Sequence, residues 1–176
     1  MFEVDPRTLF APAPSFALRS DDLQQGGRVP SWMYGPPMGG EGVSPHLEWS
    51  GFPAATASFA VTAYDPDAPT GSGYWHWAVA NIPPAVTRLE HGAGSAGGRM
   101  PEGAVTLHNE QRTRDFAPAG PPEGTGVHRY VFVVHAVDVP RLELPDGCTP
   151  AVLGFNLHFH TLARAAVTVL GEYPGA

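Results

Sequence analysis

Apolar and polar positions alternate through Ala57-Ser58-Phe59-Ala60-Val61-Thr62-Ala63-Tyr64, with Phe59, Val61 and Ala63 on one face and Ser58, Thr62 and Tyr64 on the other. A period of two predicts a strand, and Asp65-Pro66 ends it. A second run, Trp75 to Ile82, is rich in aromatic and β-branched residues and stops at Pro83-Pro84. Strict alternation there turns His76 to the face opposite Trp75 and Trp77. The run His128 to Val137 is apolar on both faces through its middle, as expected of a central strand covered on both sides. Shorter strands are expected at Ser15 to Arg19, Leu47 to Trp49 and Thr106 to Asn109. One helix is expected after Gly147-Cys148, with Thr149 as cap and Pro150 in the first turn, running to about Ala165. Beyond it, Ala166 to Tyr173 turns β-branched and predicts a closing strand. The sum is a mostly β fold, a two-sheet sandwich with a late helix and a C-terminal strand.

Composition supports that reading and narrows the function. Glycine (21) and proline (20) fill close to a quarter of the 176 residues, which argues against a helix bundle. A hydrophobic share of 43% is enough for a core, so residues 1–176 are expected to form a single domain. The formal net charge is −7, and every basic residue is arginine, with no cationic run. That speaks against non-specific binding to nucleic acid or anionic membranes. Cys148 is the single cysteine, so the chain has no internal disulfide and no cysteine pair for a structural zinc. The N-terminal MFEVDPRTLF lacks the basic and apolar regions of a secretory leader, and no apolar run reaches ~18 residues. A cytoplasmic location is expected.

The candidate chemistry lies in Gly/Pro-marked segments at strand ends, where a sandwich gathers its loops. Asp65 ends one strand, His76 opens the next, and His128 opens the central one. Two imidazoles can donate to an anion while the carboxylate fixes a tautomer or stabilises an imidazolium, so together they suggest an anion pocket. Taken singly, each is more often a packed residue or a turn former.

The strings SPHLEW, DPDAP, WHW and GPPEGTGVHRY, in that order, resemble the phosphatidylethanolamine-binding protein family, over about residues 14–173. The likeness is strongest to its bacterial kinase-inhibitor-like branch and to actinobacterial members. The resemblance implies two antiparallel sheets with Greek-key connections and a pocket at one end of the sandwich for phosphate, phosphorylated headgroups or carboxylates. It assigns ligand contact to Asp65, His76, His128 and Tyr130, and the pocket mouth to Pro69 and Pro122. Asp67 matches the second aspartate of the motif, with a structural role in the turn at least as expected as ligand contact. Two departures stand out. Eukaryotic relatives carry a further C-terminal helix over the pocket, where this chain ends at Gly175-Ala176, so the pocket is expected to be more open or closed by a partner subunit. Trp75 also stands where many relatives place a second histidine.

Other candidates carry less. His158 and His160 are two apart on the expected helix and point to different sides, with His160 packed. His91 and His108 lie in loops without acidic company and are expected to be solvated. Cys148 is expected to be inert, and Arg112 and Arg114 to sit in a solvated loop. The leading function is a small-anion or phospholipid-headgroup binding protein with affinity that rises as the histidines protonate. By analogy it modulates a kinase or other signalling partner. A homodimer is expected, with no cofactor, no metal and no membrane insertion. The alternative is an esterase or phosphatase with a histidine base, for which the sequence offers no nucleophile or metal beside that base.

Overall fold

The described residues form eight strands, the longer ones from alternating or continuous apolar runs: β1 (Ala17–Arg19), β2 (Leu47–Ser50), β3 (Ser58–Asp65), β4 (Tyr74–Ile82), β5 (Arg88–Leu89), β6 (Val105–Thr106), β7 (His128–Val137) and β8 (Thr161–Gly171). One α-helix among the described residues, α1 (Pro150–His160), precedes β8. The structure, a computed structural model, describes residues 12–175, so the reading of the N-terminal ten residues lies outside the described residues. β6-β4-β3-β7-β8 form the larger sheet and β1-β2-β5 the smaller, and every pairing between named strands is antiparallel. Phe59, Val61 and Ala63 of β3, with Phe132 and Val134 of β7, meet Leu47 and Trp49 of β2 and Leu89 of β5 in the core between the sheets. The opposite face of the larger sheet carries Ala60, Ala78 and Ala80 against Leu153 and Leu157 of α1. β7 is buried along nearly its whole length because it is covered on both faces, as its apolar middle predicts.

The helix ends at His160 and not near Ala165. From Thr161 the backbone is extended, and Ala163, Ala165 and Val167 pair with Ala136, Val134 and Phe132 of β7. Alanines suit helices, but here they fit a strand whose partner is a long apolar edge, and tertiary pairing overrides local propensity. Thr149 is extended and makes no side-chain cap, whereas Pro150 does open the helix. β6 stops early because Asn109 folds into a turn, its carboxamide bonding Thr113 Oγ1 and the Asp115 carbonyl. β5 is two residues long and leaves no period to read in the sequence.

His135 lies buried on β7, paired in register with Arg164 of β8. Burial first, and then the Arg164 charge, push its imidazole down to about 3. The unfolded chain takes up this proton near 6.5 while the folded chain does not until about 3. Stability is therefore full above pH 6.5 and declines as pH falls from there toward 3. Denaturant melts across that window should show the decline, and His135→Phe should make it shallower. An unchanged slope would place the acid sensitivity elsewhere.

Candidate functional site

β3 ends at Asp65 because Pro66 has no N–H to continue a ladder. Asp65 Oδ1 accepts the Asp67 N–H at 2.8 Å, and Oδ2 lies 2.7 Å from Nδ1 of His128, the first residue of β7. The two side chains are 3% and 1% exposed, so this is a buried carboxylate–imidazole pair. On the other side of the ring, Thr125 Oγ1 lies 2.8 Å from His128 Nε2. The Thr125 hydroxyl also donates to the Pro122 carbonyl at 2.7 Å. A carbonyl only accepts, so the arrangement that satisfies all three bonds has His128 donating from both nitrogens. The N–H donors expected to face an anion are thus turned to Asp65 and Thr125. Glycines at positive φ, Gly124 and Gly126, fold the turn that carries Thr125 to the ring.

His76 shows where strict alternation fails. Ala63 pairs with Trp77 and Tyr64 with Trp75, leaving His76 as the extra residue of a β-bulge. A bulge re-aims a side chain, and here it turns His76 to the same inner face as Trp77 instead of the opposite one. The His76 ring lies 5.1 Å from that of Tyr130 and 6.4 Å from that of Phe116, which Trp77 also contacts. Of Trp75, His76 and Trp77, Trp75 alone remains on the outer face, its ring tilted over that of Tyr64 with centroids 4.4 Å apart.

His76 Nδ1–H donates to the Ala117 carbonyl at 2.9 Å, while Nε2 is buried with no hydrogen-bond partner. Burial holds the imidazole below its usual value, against the opposing pull of the Ala117 carbonyl and Asp65. Tyr130, two residues along β7 from His128, also carries a buried hydroxyl without a full partner. Burial and then the Asp65 charge raise that phenol above its usual value, and the Gly120 N–H faces it. The end of the larger sheet therefore holds an imidazole lone pair and a phenol hydroxyl on neighbouring rings 5.1 Å apart, both buried and short of partners. Each such group costs ~1–3 kcal/mol when left unpaired.

Of the remaining expected contacts, Pro69 and Pro122 are exposed on the turns after β3 and before β7. Asp67 is tied into structure: Arg129 donates to it from the backbone N–H at 2.9 Å, Nε at 2.7 Å and Nη2 at 2.7 Å. Burial works to raise the Asp67 carboxyl, but these donors and the Arg129 charge bring it below its usual value. A cavity of about 500 Å³, lined in part by Arg28, Tyr34, Met38, Val127 and Tyr173, lies beyond Gly171. A Cβ at Gly171 would stand 2.9 Å from the Tyr130 ring and 3.1 Å from the Tyr34 hydroxyl, so this glycine is the thin wall between that cavity and Tyr130.

His91 is a correction: its Nδ1 lies 2.9 Å from Asp22 and its ring 4.6 Å from Trp32, so it does have acidic company, contributed from 69 residues away in sequence. His160 is half-buried and bonds Asp138 at 2.8 Å instead of packing fully. Burial raises the Cys148 thiol, in line with an inert cysteine. Thr125 and Arg129 are the residues that sequence reasoning passed over. Both stand inside the GTGVHRY string, and Arg129 lies 62 residues from Asp67, so no local signal joins the two.

A two-sheet sandwich with a buried Asp–His pair and a second histidine bulged inward at the same sheet end is the architecture reached from the residues. Comparison with known proteins agrees with the fold. The family model described as phosphatidylethanolamine-binding protein matches residues 19–172. The chain is 44% identical to UPF0098 protein YbhB of Escherichia coli K12 over 155 residues, covering 87% of this chain and 98% of that protein. It is 40% identical to YbcL of the same organism over 168 residues, covering 94% and 92%. The crystal structure of Escherichia coli YbcL, a member of the mammalian PEBP family, matches with a TM-score of 0.85 at 39% identity, over 90% of this chain and 98% of that one. The chain belongs to the phosphatidylethanolamine-binding protein family. Among the described residues, no helix is long and apolar enough to cross a membrane.

Proposed function

We propose that this protein binds small phosphate-bearing ligands, among them phospholipid headgroups, at the end of the larger sheet. The observation that carries this is the pair of buried polar atoms on rings 5.1 Å apart, His76 Nε2 without a partner and Tyr130 Oη with only the Gly120 N–H facing it. Buried polar groups in native proteins are normally paired, and those that are not often mark where a ligand completes the set. The Asp65–His128 pair contributes a fixed polar wall beside them, and Pro69 and Pro122 form the exposed rim.

The lowered His76 value alters the expected pH response. Over the neutral range His76 enters as a neutral ring, and affinity that climbs with its protonation belongs to more acidic conditions. Calorimetric titration with inorganic phosphate, phosphoethanolamine and acetate at neutral pH tests the proposal. Heat with the phosphate ligands that vanishes in His76→Ala is the expected result. No heat with any of the three, or heat that His76→Ala leaves unchanged, would overturn it.

A further inference from the structure

We infer that His76 makes the site select ligands whose anionic head brings its own hydrogen-bond donor, a P–O–H or a neighbouring ammonium, and reject anions that can only accept. This rests on the binding reading above and adds the polarity of recognition to it.

The Ala117 carbonyl can only accept, so the proton of a neutral His76 sits on Nδ1, and Nε2 presents a lone pair. That lone pair is buried, in a residue 5% exposed, and has no partner. An oxygen of a fully ionised oxyanion placed against it sets lone pair on lone pair. A phosphate that retains one P–O–H donates to it, while its charged oxygens accept from the Tyr130 hydroxyl. The groups facing His76 come from every neighbouring element: Tyr74 on its own strand, Asp65 on β3, His128 and Tyr130 on β7, and the carbonyls of Ala117 and Pro118. Of the two charged neighbours, Asp65 favours protonation of His76 and His128 opposes it, and burial outweighs both, so the ring stays neutral through the neutral range.

A site built around a buried acceptor rejects analogues that lack the matching donor far more strongly than a merely apolar pocket could. The discriminating pair is inorganic phosphate and sulfate in mildly alkaline buffer, where both are dianions of similar size and only phosphate keeps a proton. Calorimetry should give phosphate at least ~10-fold tighter binding than sulfate. A second pair separates the two donor sources. In the same buffer methyl phosphate has lost its P–O–H, its second pKa lying near ~6. Phosphoethanolamine has lost it too but keeps its ammonium, so it should bind more tightly than methyl phosphate. His76→Gln, which can turn an N–H₂ donor into the site, should narrow the phosphate-to-sulfate ratio, and a thermal melt confirms that this variant is folded. Sulfate bound as tightly as phosphate, in a manner that His76→Ala abolishes, would overturn this inference while leaving the binding reading intact. Failure of every phosphate ligand to bind would overturn the binding reading and this inference with it.

Discussion

Replacing Asp65 by alanine should cost ~3–5 kcal/mol of stability, the usual penalty for breaking a buried ionic pair from one side. Asp65 and His128 are almost fully buried and 2.7 Å apart, so removal of the carboxylate strands a His128 N–H in a dry environment. The same substitution removes the acceptor for the Asp67 N–H, which shapes the turn after β3. Asp65→Asn keeps the shape and one carbonyl acceptor for His128 Nδ1–H, and should cost distinctly less. Urea unfolding of the three chains measures this directly. An Asp65→Ala midpoint within error of the parent would mean that the pair contributes little to holding the sheet ends together.

Tyr130→Phe should move stability and binding in opposite directions, while His76→Phe should lower both. Tyr130→Phe removes a buried hydroxyl faced only by the Gly120 N–H, a change that is neutral or stabilising by ~1 kcal/mol, whereas His76→Phe also strands the buried Ala117 carbonyl and should cost ~1–3 kcal/mol. Gly120 is exposed, so its N–H passes to water when the phenol oxygen is lost. Binding of phosphate should fall ~10-fold or more in each variant, because a hydrogen bond to a charged ligand is worth ~1.5–3 kcal/mol. Midpoints from urea melts and affinities from calorimetry on the same preparations provide the comparison. A residue kept for packing alone would lose stability on substitution and leave affinity unmoved. That pattern would remove His76 and Tyr130 from the site.

The long elements were legible in the sequence because period two fixes β3 and its face, and because the continuous apolar run of β7 marks a strand covered on both sides. The tie of β3 to β7 through Asp65 and His128 was legible only as chemistry, since an aspartate at one strand end and a histidine at another carry no distance. Three features escaped for physical reasons. The β8 start at Thr161 depends on pairing with β7, and the alanines at 163 and 165 hide it behind a helical propensity. The inward turn of His76 depends on a single-residue bulge, which alternation cannot reveal. The pairing of His91 with Asp22 joins loops far apart in the chain and exists only once the smaller sheet has brought them together. The bulge matters most here, because it places an imidazole lone pair beside Tyr130 and not on the outer face with Trp75.

The most direct test is the long-range ¹H–¹⁵N spectrum of the histidine side chains, recorded near neutral pH with and without inorganic phosphate. His76 should appear as the Nδ1–H tautomer, with a bare Nε2 whose resonance moves upfield as phosphate donates to it, while the ring nitrogens of His128 stay in place. A His76 that already carries its proton on Nε2, or whose Nε2 resonance ignores saturating phosphate, would contradict the assignment of this atom as the ligand contact.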